Sequence, residues 1–379
     1  MIEINVHPLA CGDPGRLGRG VRHQPSAPRR VAVALPAKNE EAQLAACLSS
    51  LDHAAGVYGG EVAIVVLAND CADRTIDVAR AQPLAYARLH LVSVSLLEGC
   101  RHAGWSRRLA FDAAAATLGA PNDALLSTDA DTCVAPDWIV RTVAHLRHGI
   151  GAVAGRALTS RIDRQSLGDD AARRLNLLGR YYTALDWLRA DRSPEAYDAW
   201  PRHFYEGGAS IALTLGWYRA IGGAPTPPVA EDRALFDAVR AAGGLVRHPL
   251  DVRVCTSSRI EGRAPGGMAD AFARWISQPE DAPLHETYAF PAALDPERAG
   301  EGDRLSFRTL PTAIATAGAM IRARRSAAAP QIEPILLAPL AGGDRDVGVE
   351  QRQQPLDRLV AGERIVGLAG PVDEEEVAA

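Results

Sequence analysis

Short apolar runs alternate with amphipathic segments along the first half of the chain. The clearest run, residues 61–67 (EVAIVVL), predicts a buried strand. Runs of the same kind predict further strands at residues 31–35, 89–94, 123–127 and 150–158. Between them, helically spaced apolar residues predict helices at 39–52, 72–81, 103–118 and 136–147. Strands that alternate with helices indicate an α/β fold, Rossmann-like, with a mostly parallel sheet and helices on both faces.

The pattern changes after residue 158. A longer helix is predicted at 169–189, a short glycine-led segment at 207–212, a helix at 231–242 and a strand at 245–254. Clear periodicity ends near Trp275. We therefore expect a flexible segment at 1–29, a main domain at 30–275 and a partly disordered C-terminal extension at 276–379. Within the main domain, the change of pattern separates 30–160 from 161–275.

Composition narrows the class of protein. The 379 residues are 47% hydrophobic and carry a net charge of −5 without a long basic run, which argues against a nucleic-acid partner or a polybasic membrane tether. Six cysteines lack the Cys-x-x-Cys spacing of a zinc knuckle. The longest apolar stretch, 310–321, is shorter than the roughly 20 residues of a membrane helix. We expect a soluble, cytoplasmic protein without an integral membrane segment.

Polar segments follow three of the predicted strands. In an open parallel sheet, ligands bind beyond the carboxyl ends of the strands. Residues 36–41 (PAKNEE) follow the first strand and 68–75 (ANDCADRT) the second. Each segment also has a purely structural interpretation, because asparagine and acidic residues cap helices and form turns. Alternatively, the amide of Asn69 or the carboxylate of Asp70 binds a nucleobase.

The strongest candidate site is Asp129-Ala130-Asp131, at the end of the predicted strand 123–127. Two carboxylates one residue apart can bind the same Mg²⁺ or Mn²⁺, and these ions commonly share ligands with substrate phosphates. Such an ion would neutralise a diphosphate leaving group. The alternative is that these residues only end the strand and prepare the next helix.

Several later residues could complete a site. Glu231-Asp232 opens a helix, where acids are common, but Asp232 could also act as a general base. Gly208 permits close approach to a sugar, or forms a bend. The residues that could contact phosphate or metal are Arg101, Arg107, Arg108, Ser257, Ser258, Arg259, Arg263 and His248.

Taken together, the segments at 36–41, 68–75, 104–114, 125–131 and 207–232 resemble glycosyltransferase family 2, whose members have the GT-A fold. The resemblance covers about residues 31–267. It implies a metal-dependent transfer of a sugar from a UDP- or GDP-linked donor to a hydroxyl acceptor, with inversion. The implied donor-binding residues are Pro36, Lys38, Glu40, Asn69, Arg107, Arg108, Asp129 and Gly208. The implied metal ligands are Asp131 and Asp129, and the implied catalytic residues are Asp232, as base, and Glu231.

Two other functions are compatible with parts of this pattern. A sugar nucleotidyltransferase would share the architecture, but it would need a glycine-rich basic loop after the first strand, where PAKNEEA has no glycine. A non-catalytic nucleotide-binding module is the other alternative, and both carboxylate pairs argue against it. Ala68-Asn69 also stands where the family usually has paired aspartates, which leaves the base preference open.

Overall fold

The computed structural model describes residues 30–146, 149–159, 167–259, 262, 267–285, 287–294 and 303–328. Its strands are β1 (Val31–Ala37), β2 (Val62–Asn69), β3 (Arg88–Val94), β4 (Ala124–Ser127), β5 (Thr132–Val134), β6 (Ile150–Ala154), β7 (Arg156–Thr159), β8 (Ile211–Thr214), β9 (Leu245–Arg247) and β10 (Arg253–Thr256). Its α-helices are α1 (Leu44–Tyr58), α2 (Thr75–Ala81), α3 (Ala103–Ala115), α4 (Trp138–His145), α5 (Asp169–Arg192), α6 (Leu215–Ala220), α7 (Glu231–Ala241), α8 (Met268–Ser277) and α9 (Leu310–Ala328). The expected segment at 1–29 lies outside the described residues.

A seven-stranded sheet in the order β3-β2-β1-β4-β8-β6-β9 forms the centre of the fold in the described part of the chain. Neighbouring strands from β3 to β4 are parallel, as are β6 and β9. Only β8 runs antiparallel, to β4 on one side and β6 on the other. The prediction of a mostly parallel sheet is confirmed.

Alternate residues of β1 face two separate cores. Val31, Val33 and Leu35 pack with α1 and α4 on one face, and Ala32 and Ala34 pack with α3, α6 and α7 on the other. A strand buried on both faces requires a continuous apolar run, which the sequence of β1 supplies. Helices therefore cover both faces of the sheet, as predicted.

Two predicted strands are each divided in the structure. The run predicted at 150–158 becomes β6 and β7, which separate at Gly155, and 245–254 becomes β9 and β10. Strands β7 and β10 leave the main sheet and pair with β5 in a second sheet, in the order β5-β10-β7. The predictions of single strands were wrong here because the two halves of each run pair with different neighbours.

The chain divides into two compact units. Of the described residues, the first holds those from 30 to Gly168 together with Pro194–Ser277, and so contains both sheets. The second holds Asp169–Ser193 and the described residues from Gln278 to 328, in which α5 packs against α9. The boundaries expected at 30–275 and 276–379 remain a prediction. No helix in the described ranges combines the length and apolarity needed to span a membrane.

Candidate active site at the carboxyl edge of the sheet

The order of the strands places the candidate residues at one edge. Strand β1 lies between β2 and β4, so the connections leaving β1 and β4 diverge in opposite directions. Ligands bind at such a switch point in open α/β sheets. Lys38 and Glu40 follow β1, and Asp129 and Asp131 follow β4, so all four lie at this edge.

Backbone strain concentrates in the loops around this edge. Among the described residues, the non-glycine residues with left-handed backbone are Asn39 (φ 54°), Asp70 (φ 47°) and Ala230 (φ 58°). They lie just after β1, just after β2 and just before Glu231 of α7. Left-handed alanine is unfavourable, and such strain clusters at functional sites.

Arg107 connects both predicted carboxylate pairs. This guanidinium is buried, and its Nη2 donates to Asp129 Oδ1 (2.8 Å) while its Nε donates to Glu231 Oε1 (3.1 Å). Nη1 donates to Ser127 Oγ and to the carbonyl of Gly208, both at 3.2 Å. Burial alone would lower the pKa of Arg107, but these two carboxylates outweigh it and raise the pKa above its ordinary value. The cation therefore stays charged and fixes Asp129 beside Glu231.

Gly208 provides the room for this arrangement. A side chain there would overlap the guanidinium of Arg107, because an added Cβ would come well inside van der Waals contact of its Nη2. The structure shows the backbone of Gly208 close to an arginine, and its approach to a sugar stays a prediction.

Arg259 connects the first predicted segment to the metal candidate. Its Nη1 and Nη2 donate to the two carboxylate oxygens of Glu40 at 2.9 and 2.8 Å. The same Nη2 lies 3.0 Å from Asp131 Oδ2. The structure therefore joins three candidate residues that are far apart in the sequence.

Two carboxylates at the edge are hard to ionise. Burial, and then the charge of Asp129, raise the pKa of Asp131 to about 6, although Arg259 opposes the shift. Burial, and then the charge of Glu231, raise the pKa of Asp232 above its ordinary value, although Arg107 opposes it. A carboxylate with a raised pKa is a stronger base than one in water, which suits the role proposed for Asp232.

The remaining donor-side candidates lie along the ends of β1 and β2. Pro36 pairs in register with Leu67, and Asn69 is the buried last residue of β2. The backbone N–H of Glu40 donates to Thr75 Oγ1 (2.7 Å), which fixes the turn after β1. Their contacts with a nucleoside stay predictions.

Arg108 and His248 are placed elsewhere. Arg108 pairs with Asp112 on its own helix (2.7 Å) and donates to the carbonyl of Ala224 (3.2 Å). His248 has both ring nitrogens within hydrogen-bonding distance of carboxylates, those of Asp198 (2.8 Å) and Glu206 (3.0 Å). Both ring nitrogens of His248 therefore already have carboxylate partners, which agrees with the structural role that a lone histidine usually has.

Tyr205 is a site residue that sequence reasoning missed. It exposes 38% of its surface, yet burial of its hydroxyl, and then the charges of Asp232 and Asp129, raise its pKa. Its ring lies against Gly207, where a Cβ would overlap it. An exposed aromatic ring beside a base is suited to stacking on a sugar. The available signal was an aromatic residue two positions before the Gly207-Gly208 pair.

The carboxylates at the edge fit a divalent cation that is shared with a ligand. Within the described ranges, no group of three or more His, Cys, Asp or Glu residues is placed to hold a metal ion by itself. Mg²⁺, however, is commonly held by one or two carboxylates together with substrate phosphates. Asp131, with Asp129 and Glu40 raising its pKa, is a position where added positive charge is favourable.

Comparisons with known proteins agree with this chemistry. Residues 28–199 match the family model described as "Glycosyltransferase like family 2". No curated protein sequence matches the chain.

Solved structures give weaker likenesses. The mannosyltransferase PcManGT of Pyrobaculum calidifontis, in complex with GDP-Man and Mn²⁺, is 20% identical over 80% of this chain and 77% of its own, with a TM-score of 0.44. Glucosyl-3-phosphoglycerate synthase of Mycobacterium tuberculosis, with Mn²⁺, UDP and phosphoglyceric acid, is 18% identical over 67% of this chain and 81% of its own, with a TM-score of 0.39. At such scores, neither likeness defines a ligand for this chain.

The family match spans β1 to β7 and helix α5, and includes Glu40, Arg107, Asp129 and Asp131. These residues are the ones that the structure gathers at the carboxyl edge of the mostly parallel sheet. Residues 28–199 therefore form a domain similar to glycosyltransferase-like family 2, built on the mostly parallel sheet with helices on both faces.

Proposed function

We propose that the chain transfers a sugar from a UDP- or GDP-linked donor to a hydroxyl acceptor, with inversion at the anomeric carbon and with Mg²⁺ or Mn²⁺ bound. The observation that carries this proposal is the linkage of the two carboxylate pairs by Arg107, which contacts Asp129 and Glu231. A donor's diphosphate at Asp129 and an acceptor's hydroxyl at Asp232 would then be neighbours.

The donor would bind along the ends of β1, β2 and β4. Asn69 would contact the base, Pro36 and Lys38 would border the nucleoside, and Asp129 would lie near the ribose and diphosphate. Asp131, with Asp129, would hold the cation, which supplies positive charge to the leaving diphosphate. Arg108 remains a proposed donor contact, although its described partners are Asp112 and Ala224.

Asp232 would take the proton of the acceptor hydroxyl as that oxygen attacks the anomeric carbon. The bond from that carbon to the diphosphate breaks, and the electron pair leaves with the diphosphate. Glu231, which is fixed by Arg107, holds the start of α7 and so positions Asp232. Attack from the side opposite the leaving group inverts the anomeric carbon.

Calorimetry with UDP and GDP, each with and without Mn²⁺, tests the donor site. We expect one nucleotide to bind in a metal-dependent manner, and Asp131→Ala to weaken that binding at least about tenfold, since one carboxylate ligand is lost. Arg141→Gln is the matched control, because Arg141 also pairs with two carboxylates, Asp137 and Asp251, outside this site. If neither nucleotide binds under any metal condition, the UDP- and GDP-linked proposals are wrong.

Binding without turnover would instead support the non-catalytic module. Incubation with a panel of UDP- and GDP-sugars, with hydrolysis and transfer followed by chromatography, separates the two. Formation of a nucleotide-sugar from a sugar phosphate and nucleoside triphosphate would favour the nucleotidyltransferase.

A further inference from the structure

Arg259 lies where two acidic candidates meet. Its guanidinium forms a two-oxygen fork on Glu40, and its Nη2 also lies 3.0 Å from Asp131. The side chains of Glu40 and Asp131 are 7% and 12% exposed, whereas that of Arg259 is 26% exposed. The arginine therefore covers two buried carboxylates and still reaches solvent.

The second sheet brings Arg259 to this position. Strand β10 pairs antiparallel with β5, and the Thr132 and Thr256 hydroxyls are 3.0 Å apart. The N–H of Ser257 then donates to the carbonyl of Asp131 (3.2 Å). This backbone contact keeps the end of β10 beside the metal candidate, two residues before Arg259.

Arg259 and a metal ion would compete for the carboxylate of Asp131. The linked group contains the carboxylates of Glu40, Asp129, Asp131, Glu231 and Asp232 and the guanidiniums of Arg107 and Arg259. Fully ionised, this group has a formal charge of −3, so it can accept another cation. Asp131 cannot give the same oxygen fully to both a guanidinium and a metal ion.

We propose that Arg259 is a built-in counter-ion that competes with the divalent metal ion for Asp131 until a donor binds. Without ligand, Arg259 neutralises Asp131 and weakens the binding of metal alone. When a nucleoside diphosphate and the metal bind together, the N–H that Asp131 releases turns to a phosphate oxygen, while the fork on Glu40 stays. Guanidinium groups bind carboxylate and phosphate with the same fork geometry. This inference rests on the metal site of the proposed function.

The test measures Mn²⁺ alone, by electron paramagnetic resonance of the free ion, with the full chain and no nucleotide. We expect Arg259→Gln to bind Mn²⁺ about tenfold more tightly than the wild type, because Asp131 loses a charge-assisted partner. A second substitution, Asp131→Asn, should abolish the gain. Arg141→Gln should leave Mn²⁺ binding unchanged, although Arg141 also joins two carboxylates.

Arg259→Lys separates pairing from charge and serves as the test if Arg259→Gln does not fold. Lysine keeps the charge but lacks the planar fork, so we expect a smaller, measurable gain in Mn²⁺ affinity. Equal binding by the wild type and both variants, including no detectable binding by any, would overturn the proposal. A Lys variant that matches the wild type while the Gln variant binds Mn²⁺ more tightly would support the counter-ion, because the positive charge alone would then supply the competition.

The Mn²⁺-binding experiment with the Arg259 variants gives a result that does not depend on sugar transfer. If Arg259→Gln gains Mn²⁺ affinity but the wild type neither binds nor turns over any donor, the proposed function fails and the counter-ion stands. If donors are turned over but Mn²⁺ affinity is unaltered by the substitution, only the counter-ion fails.

Discussion

At the scale of single residues, Arg107 holds the site together. It donates to four groups from three separate segments: Ser127 and Asp129, the carbonyl of Gly208, and Glu231. A buried guanidinium costs several kcal/mol of desolvation unless it is paired, and two carboxylates pair it here. The same contacts that make its burial possible also fix the distance between the two carboxylate pairs.

Gly208→Ala tests the space that Arg107 needs. The new methyl group would overlap the guanidinium, so we expect a loss of about 1–3 kcal/mol in unfolding free energy and weaker nucleotide binding. Urea unfolding measures the free energy of unfolding, and calorimetry measures nucleotide binding. Gly119→Ala is the control, since a Cβ there meets nothing within 4 Å. If both variants are equally stable, Gly208 is not required for this packing.

Asp232→Asn tests the base. The amide keeps the shape of the side chain but cannot accept the proton, so kcat should fall by about 10²- to 10⁴-fold. Donor affinity should change little, because the proposed donor contacts involve other residues. Steady-state kinetics and calorimetry measure the two quantities. A variant with unchanged kcat would remove Asp232 from the mechanism.

At the scale of elements, the sequence predicted the strands and helices that depend on local pattern. Strands β1 to β4 and helix α3 lie where periodicity placed them, because each is a single apolar run or one amphipathic segment. Helix α1 starts at Leu44 rather than residue 39, since Asn39 adopts a left-handed backbone and Thr75 binds the N–H of Glu40. Periodicity has no information on such distant partners.

The candidate site was predictable to the same extent: its short motifs could be predicted from the sequence, and the contacts between distant segments could not. The motifs around Asp129 and Glu231 were predictable because short segments carry them. Their linkage was not, since Arg107 and Glu231 are 124 positions apart and Arg259 and Glu40 are 219 apart. The division of the 150–158 run at Gly155 was equally hidden, because β6 pairs with β8 while β7 pairs with β10, and both partners lie far along the chain.

Two buried histidines link the segment before β8 to the end of β9. His203 and His248 lie with ring centroids 5.7 Å apart, and the N–H of His203 donates to the carbonyl of His248. Burial, and then His248, lower the pKa of His203 to about 3. Burial also acts to lower the pKa of His248, but hydrogen bonds to Asp198 and Glu206 outweigh it and raise that pKa above 6.5.

For these two histidines alone, the opposite shifts predict a maximum of stability near pH 6.5, whereas the raised pKa of Asp131 acts in the opposite direction below about pH 6. Above pH 6.5, folded His248 holds a proton that the unfolded chain has lost, so its stabilisation disappears as pH rises through the folded pKa. Below pH 6.5, unfolded His203 binds a proton that the folded chain does not, so stability falls by up to about 1.4 kcal/mol per pH unit.

Urea unfolding from pH 5 to 8 checks this dependence. We expect His248→Asn to reduce the fall in unfolding free energy above pH 6.5. We expect His203→Asn to reduce the fall below pH 6.5. The exposed His53→Asn is the control and should change neither. If the double variant keeps the wild-type curve, the pH dependence arises from other groups.

At the scale of the whole molecule, the proposed chemistry involves only one of two compact units. The first unit contains every described candidate residue, and the second is built on α5 and α9, with Tyr181 donating to the carbonyl of Tyr288 and Arg324 paired with Asp191. Within the described residues, the second unit is therefore held by its own contacts.

Hydrogen exchange can test whether ligand binding stabilises only the first unit. With nucleoside diphosphate and Mn²⁺ at about 100 times their dissociation constant, the ligand-bound state is stabilised by about 2.7 kcal/mol. Amides at 36–41 and 128–132 should gain protection, while those of α9 should not. Equal gains in both units would contradict a site confined to the first.

Lys38 is the only lysine in the sequence, and it follows β1 at the carboxyl edge of the sheet, partly exposed. Acylating dyes react with side-chain amines, so the protein has a single lysine target and that target lies beside the proposed nucleoside pocket. A fluorophore attached there would report directly on occupancy of the pocket. A bulky or charge-removing group at the same nitrogen would act as a covalent inhibitor, and bound nucleotide would protect against it.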